Sequence, residues 1–446
     1  MRFFLLISRK TGGIMTENHI CVRFIFRISG FRENRVRKGR LHMHEKGGNL
    51  PLIKLRNNEL VKKMIYQHSP ISRSEIAQEL HLTAPTITAC VNPLVSAGLL
   101  QESVADTPVS DGRPLGRRPA MLEFVRDAYR LCGVELGPYR TYLVLTDLRG
   151  NTLRSQELER MPDDYDHAIA LLSQWIGDFL KGEERILGVG VGLPGWVAGK
   201  AGTIYNSFRK GWNDKDLAGD LTRLLGIPVV MENNVRARLI GADLFDRRIS
   251  RDPAVYFYAS FGLACPIMME GKVLYGLSAG AGEIGHTSVD PNGPHCAVCG
   301  KNGCLESVAS EKAILRRCRA LMETGVNTLL NALAPSPEEL TIAHVLAAQE
   351  CDDRAVNMVL NDAVRHLAVS LAGIINLISP ETVLVDAHLM KSGRNQERML
   401  EVLQENIYDL SIHHSEITFV PYDAFNGARF AAALAVKVLL LEANQE

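Results

Sequence analysis

The stretch Ala281-Gly282-Glu283-Ile284-Gly285-His286, followed by Cys296, Cys299 and Cys304 and closed by Leu305-Glu306, decides how this chain is read. A histidine ahead of three closely spaced cysteines is the ligand set of a Cys3His zinc site, since zinc takes four nitrogen or thiolate ligands in a tetrahedron. Gly293, Gly300 and Gly303 lie between the ligands and let short turns bring the thiolates together. Free cysteines are often no more than small buried apolar side chains, but three of the chain's nine fall here within nine residues. His286, Cys296, Cys299 and Cys304 are the expected ligands of one structural Zn2+, with His295 competing for the histidine position. Glu283 and Glu306 bracket the cluster, so a metal would hold both carboxylates rigidly, as in the wall of a binding site.

With 446 residues the chain has room for two or three domains. An apolar fraction of 46% beside 22% charged residues is that of ordinary globular material. No apolar run in the sequence approaches the length of a membrane span, which takes about 18 residues or more, so no membrane insertion is expected. The opening Met1-Arg2-Phe3-Phe4-Leu5-Leu6-Ile7-Ser8 is too short for a secretory signal and lacks a cleavage pattern. An odd, partly clustered set of cysteines fits a reducing cytoplasm better than a disulfide framework.

The formal net charge is zero, but it is unevenly distributed. Residues 1–48 carry eleven Lys/Arg against three Asp/Glu, and residues 49–126 nine against seven, which leaves an acidic remainder. Nucleic acid is therefore expected at the front of the chain. The first 48 residues show no apolar periodicity and read as a disordered basic extension, with the natural start expected near Met15 or Met43.

Between residues 49 and 126 the pattern is that of a winged helix-turn-helix. Leu60, Val61, Met64 and Ile65 recur at helical spacing over 55–67, and Pro70 stops that helix. Ser72-Arg73-Ser74-Glu75 is a capping box opening a short helix through Leu80. Thr83 caps a third helix that begins Ala84-Pro85, where a proline is tolerated. Residues 83–92 are the expected recognition helix, which Pro93 is expected to kink or to end earlier than usual. Residues 101–124 read as two strands around a loop with Arg113, Gly116, Arg117 and Arg118, a wing for phosphates. Ser72, Arg73, Thr83, Thr86, Thr88, Asn92, Arg113, Arg117 and Arg118 are the candidate contacts to a double-stranded DNA operator.

From residue 127 to 446, short apolar strands alternate with amphipathic helices, an α/β pattern. A hairpin is expected at 131–136 and 141–146, then a turn at 147–151. Further strands are expected at 186–191, 227–231, 254–260 and 382–386. Helices are expected at 164–180, 214–225, 235–245, 352–378 and 394–407.

The order of winged helix, Leu193-Pro194-Gly195, Glu232-Asn233-Asn234-Val235-Arg236-Ala237, Gly282-Glu283-Ile284-Gly285-His286 and Gly303-Cys304-Leu305-Glu306 strongly resembles the ROK family of repressors and sugar kinases. The resemblance covers about residues 55–440. It implies a two-lobed actin-like ATPase (sugar kinase) fold, a structural zinc, and a sugar or sugar phosphate in the cleft between the lobes. One departure is that the family places a single residue between its first two cysteines, whereas two separate Cys296 from Cys299, which makes Cys296 the ligand least secured by spacing.

The larger departures concern ATP. The phosphate loop that family kinases carry in the first hairpin is matched here by Glu135, Gly137, Pro138 and Tyr139. The second, glycine-rich in the kinases, is Ser260-Phe261-Gly262-Leu263-Ala264-Cys265-Pro266. The kinases' adenosine-backing Gly-Gly stands as Asp386-Ala387. Their general base is an aspartate, replaced here by Asn234, whose amide cannot accept the proton of a sugar hydroxyl. No ATP is expected, and no catalytic residue is assigned.

The sugar-facing set implied by the resemblance is Gly195, Asn233, Asn234, Glu283, His286 and Glu306. His286 can serve zinc through one ring nitrogen and a sugar through the other. The expected function is a DNA-binding regulator of carbohydrate metabolism, a repressor controlled by a sugar; the alternative is an ATP-dependent sugar kinase. Capture by a sugar-transport protein is a further expected partnership. Two half-sites imply a homodimer or dimer of dimers, with Leu367, Leu371, Ile374, Ile375 and Ile378 as candidate dimer contacts.

Overall fold

The computed structural model describes residues 50–104, 119–198, 203–206, 209, 211–249, 253–276, 279–408 and 415–442. The basic extension of residues 1–48 and the loop bearing Arg113, Gly116, Arg117 and Arg118 lie outside the described residues.

The front of the chain comprises α1 (Leu50–His68), β1 (Ile71–Ser72), α2 (Arg73–Glu79), α3 (Ala84–Ser96), β2 (Leu100–Val104) and β3 (Ala120–Phe124). α1 begins earlier than its apolar spacing predicts, and its first turn exposes Leu50, Leu52 and Ile53, so no core contact marks it. The capping box forms: the Ser72 hydroxyl accepts from the Glu75 amide at 3.2 Å, and the Ser72 amide donates to the Glu75 carboxylate at 2.8 Å. Thr83 caps α3, accepting from the Thr86 amide. Of the two outcomes expected of Pro93, the early end does not occur: the helix runs on to Ser96. The proline removes one amide donor, but its own carbonyl still accepts from Ala97 at 3.0 Å. Burial of Cys90 and Val91, with Leu94 half-buried on the same side, holds the turn against that loss. β1, β3 and β2 pair in that order into the sheet of a winged helix, over a core that includes Ile65, Tyr66, Ile76, Ile87, Leu122 and Phe124.

The first lobe of the body contains β4 (Arg130–Leu136), β5 (Thr141–Thr146), β6 (Thr152–Leu158), α4 (Tyr165–Leu180), β7 (Ile186–Leu193), β8 (Trp196–Ala198), β9 (Thr203–Asn206), α5 (Leu217–Leu225), β10 (Val229–Asn233) and α6 (Asn234–Leu244). Its sheet has the order β10-β7-β4-β5-β6, parallel from β10 to β4 and antiparallel beyond. β6 is an edge strand that sequence reading missed. Its side chains are exposed from Thr152 to Glu157, so the alternation that betrays a half-buried strand is absent.

The second lobe contains β11 (Ala254–Ala259), β12 (Leu263–Ala264), β13 (Ile267–Met269), β14 (Lys272–Val273), α7 (Leu305–Ala309), α8 (Glu311–Glu323), α9 (Leu330–Leu333), α10 (Ile342–Glu350), α11 (Arg354–Ile378), β15 (Thr382–Ala387), α12 (Gly393–Asn406) and β16 (Glu416–Phe419). Its sheet order is β14-β13-β11-β15-β16, with β12 paired to β11. α11 is long and apolar enough by composition to cross a membrane. Here it is a core helix, with Leu360, Val364, Leu367, Leu371 and Ile375 fully buried in the lobe. That corrects the assignment of its stripe to a dimer contact: Leu367, Leu371 and Ile375 are interior, and Ile374 and Ile378 pack against the same core.

α13 (Asn426–Ala435) returns to the first lobe and lies across β4 and β7. The approach is so close that a Cβ on Gly133 would stand 1.9 Å from the Ala428 carbonyl oxygen, so only glycine fits there. The chain then meets the DNA-binding front again: Lys62 of α1 donates to the Leu440 carbonyl at 2.5 Å, and Lys63 pairs with Glu442 at 3.2 Å.

Candidate functional site

His286 closes a single 3-10 turn, Ile284–His286, and Cys304 sits at the N-terminus of α7. The loop between them is drawn into a knuckle by backbone bonds: Val289 to the Gly303 carbonyl at 2.8 Å, Cys296 to that of Lys301 at 2.8 Å, and Gly300 to that of Cys296 at 2.9 Å. Gly303 has φ +62°, and a Cβ there would overlap the Asp290 carbonyl, so the turn requires glycine. The ligand atoms of His286, Cys296, Cys299 and Cys304 all lie within 4.8 Å of one another. Cys299 Sγ and Cys304 Sγ are 3.1 Å apart, too far for a disulfide, and Cys296 Sγ is 3.8 Å from His286 Nδ1. Thiolates on one tetrahedral zinc, at about 2.3 Å each, stand about 3.8 Å from each other. The donor set therefore fits a zinc ion with small adjustments. Cys296 joins the cluster despite its two-residue spacing. His295 does not: it is exposed and faces Asn302 Oδ1 at 3.3 Å.

Beside the knuckle, Glu306 accepts from the Leu263 amide at 3.4 Å. Glu283 accepts a hydrogen bond from Trp196, and burial pushes its carboxyl above the usual range, with the Glu306 carboxylate adding to the effect. His286 presents Nδ1 to the cysteines, which leaves Nε2 as its second face. Asn233 caps α6: its side-chain oxygen accepts from the amides of Val235 and Arg236 at 3.0 and 3.1 Å, and its amide donates to the Gly195 carbonyl at 2.9 Å. Most of its polar capacity thus caps α6 and fixes the turn at Gly195, leaving one N–H for a ligand.

Two residues here escaped sequence reading. Trp196, next to Gly195 and 40% exposed, contributes an aromatic face to the wall that holds Glu283. Arg236, buried and paired with Glu232 at 2.8 Å, donates to the carbonyls of Ala279 and Val197 at 2.9 and 3.3 Å. It thereby ties two walls of the site together.

Asn234 faces a different cleft of about 160 Å³, lined by the residues matched to the phosphate loops, Glu135, Gly137, Pro138, Tyr139, Ser260 and Phe261. Tyr139 and Phe261 meet there edge to face, and Arg238 occupies the cleft's inner end. Arg238 donates to both oxygens of Glu135 at 2.9 and 3.0 Å and to Asp386 at 3.1 Å, and Tyr256 also donates to Asp386 at 2.7 Å. All three charged side chains are more than nine-tenths buried. Burial alone would depress the Arg238 guanidinium, but the two carboxylates hold it well above its ordinary range. Another cavity, of about 850 Å³, lies between Asp290 and α11 and holds none of these groups. Its Arg317 and Arg365 both address Asp362.

On the DNA-binding front, Thr83, Thr88 and Asn92 are exposed and Thr86 is half-buried. Arg73 donates to Asn92 at 3.1 Å and pairs with Glu102. Ser72 is only 2% exposed and is committed to the capping box, so its place among the DNA contacts is corrected to a structural one.

Comparison with known proteins agrees with this architecture. The ROK family profile matches residues 131–438, and a winged helix-turn-helix DNA-binding profile matches residues 63–101. The chain belongs to the ROK family. It is 28% identical over 367 residues to a putative xylose repressor of Caldicellulosiruptor sp. (strain Rt8B.4), covering 81% of this chain and 89% of that one. It is 25% identical over 351 residues to the DNA-binding transcriptional dual regulator NagC of Escherichia coli (strain K12), covering 78% and 84%. Among solved structures, a ROK family transcriptional regulator, a homologue of the E. coli MLC protein, superposes with a TM-score of 0.75 at 26% identity, covering 87% of this chain and 97% of the other. A ROK family glucokinase from Streptomyces griseus shares the fold of the body, with a TM-score of 0.61 at 22% identity over 69% of this chain and 99% of the other.

Proposed function

We propose that this ROK-family chain is a sugar-responsive transcriptional repressor whose kinase-like body binds a sugar without phosphorylating it. The observation that carries the reading is the joining of a winged helix-turn-helix to a sugar-kinase-like body whose second cleft is narrowed by its own side chains to about 160 Å³. Arg238, Glu135 and Asp386 occupy one end of that cleft, and Tyr139 and Phe261 the other. Asn234 lines it with an amide where a proton acceptor is needed.

In the sugar site, Glu283 and Glu306 accept from hydroxyls, His286 Nε2 offers a third polar contact, and Trp196 stacks on the apolar face of the ring. The knuckle positions three of these groups, with His286, Cys296, Cys299 and Cys304 holding a structural Zn2+. When bound, the metal supplies a rigid tetrahedral anchor and no chemistry of its own. D-xylose and N-acetyl-D-glucosamine are the first effectors to test, since relatives are named as repressors for those sugars. The protein acts in the cytoplasm as a homodimer, so that two recognition helices, with Thr86, Thr88 and Asn92 on each, reach two half-sites of one operator.

The test combines a thermal-shift screen of these sugars with binding to a duplex that the protein selects from a random-sequence pool. A sugar at a hundred times its Kd should stabilise the protein by about 2.7 kcal/mol and change duplex affinity. Sugar-dependent consumption of ATP, or no selected duplex, would defeat the reading.

A further inference from the structure

α6 borders both clefts and leads into a turn that touches the DNA-binding front. Its N-terminus is capped by Asn233, which holds the turn at Gly195. Near its middle, Arg238 joins Glu135 on β4 to Asp386 on β15, so one guanidinium links the sheets of both lobes. Just beyond its C-terminus, Arg247 donates to the Tyr66 carbonyl at 3.3 Å and to the Ser69 hydroxyl at 3.5 Å. Nine of the helix's eleven residues are buried. A helix of that length spans about 16 Å, and one packed on nearly all sides moves as a unit.

The same two acceptors, Tyr66 in the last turn of α1 and Ser69 just beyond it, receive a second arginine. Arg149 donates to the Tyr66 carbonyl at 2.6 Å and to the Ser69 hydroxyl, and its guanidinium lies 4.6 Å above the Tyr66 ring. Tyr66 in turn donates its hydroxyl to the Leu148 carbonyl at 2.5 Å. Arg429 of α13 braces this socket from behind, bonded to the Gly150 carbonyl and to Asp246, both at 2.7 Å. In the same first turn of α13, a Cβ on Gly427 would meet the Glu135 carboxylate at 1.8 Å, so one turn of helix rests against both the clasp and the socket. The socket holds Tyr66 and Ser69, and Ser72, which caps α2, follows three residues later.

We infer that Arg149 and Arg247 are positioning residues for the helix-turn-helix: through Tyr66 and Ser69 they set its orientation according to the state of the Arg238 clasp, with α6 and α13 as the rigid connections. Opening of the lobes separates Asp386 from Arg238 and shifts α6, and the socket follows. The inference supplies the regulation of the repressor proposed above and rests on that reading for its purpose, but its physical content needs neither DNA nor sugar.

The test is amide hydrogen exchange on the full chain, read over residues 65–76, for four proteins: wild type, Asp386→Asn, Arg149→Ala with Arg247→Ala, and the triple variant. Asp386→Asn keeps the side chain's shape and removes the charge that ties Arg238 to the second sheet. It should speed exchange across residues 65–76 by about tenfold. In the background without the two arginines it should add nothing, because the connection is already cut. Arg149→Lys with Arg247→Lys should restore part of the response. Should the double alanine variant fail to fold, Ser69→Ala takes its place, since it removes the hydroxyl that both arginines share. If Asp386→Asn loosens residues 382–387 alone, or if its effect simply multiplies with that of the socket variants, the inference is wrong. Duplex selection on the same proteins separates this failure from that of the repressor reading: a chain that selects no duplex defeats the function and leaves the exchange result standing.

Discussion

Tyr139 meets Phe261 edge to face with ring centroids 5.4 Å apart, so the turn after β4 touches the loop after β11 across the second cleft. In the proposed reading both rings stand where the family's kinases carry phosphate loops, and such a contact opposes the close backbone approach that phosphate binding needs. Introducing a carboxylate with Asn234→Asp should therefore give no sugar phosphorylation, because Arg238, Tyr139 and Phe261 still narrow the cleft. A coupled ATP assay with hexoses and xylose checks this. Turnover by the single variant would mean that the base was the only thing missing.

Purified protein should contain one zinc per chain, measured by elemental analysis. Cys299→Ala removes one of four ligands whose donor atoms already converge. It should lower Tm by roughly 5 °C or more, on the scale of 2–4 °C per kcal/mol for domains of moderate size. A chelator should have a similar effect on the wild type and little further effect on the variant.

Two neighbouring serine and asparagine changes should separate stability from recognition. Ser72→Ala removes a cap and should cost about 1 kcal/mol of stability. Asn92→Ala should leave melting nearly unchanged and weaken binding to the selected duplex by about 1–3 kcal/mol, with relaxed preference at one base position. Arg117→Ala with Arg118→Ala should instead weaken all duplexes alike and lower the salt dependence.

Glu306→Ala should keep duplex binding and lose the response to sugar, since the carboxylate faces Leu263 beside the knuckle and is absent from the DNA-binding front. Fluorescence anisotropy with and without D-xylose or N-acetyl-D-glucosamine checks it. An unaltered response would remove this cleft from the sensing mechanism.

Asp353 caps α11 and should make part of the stability acid-labile. Burial pushes its carboxyl up, but bonds from the Thr328 hydroxyl and the amides of Val356, Leu329 and Ala355 outweigh this and hold it below its ordinary range. A depressed carboxyl contributes stability above its unfolded pKa of about 3.9, and that contribution fades as pH falls through the folded value. The Tm difference between wild type and Asp353→Asn should thus be larger at pH 7 than at pH 3.

What could be read from the sequence was local and periodic. Ser72 with Glu75, Thr83 at its cap and the cysteine knuckle each state their geometry within a few residues. The hairpin of β4 and β5 is marked by its apolar runs. β6 could not be read because its pairing is entirely backbone, with no buried face to set a period. α13 could not be read for the opposite reason, since eight of its ten residues are buried and no polar stripe remains. Arg238 looks like a solvent-facing residue in Val235-Arg236-Ala237-Arg238. Its partners Glu135 and Asp386 lie 103 and 148 residues away, and only the closed fold brings them together.

The hold of Lys62 and Lys63 on Leu440 and Glu442 has a consequence in time. The ribosome makes the DNA-binding head first and the turn that anchors α1 nearly four hundred residues later. A nascent chain thus carries a folded reader of DNA well before it carries the surface that fixes that reader in place. Only when residues 440–442 have left the exit tunnel can the head be tied to the body through them, so premature termination would release a reader without its anchor.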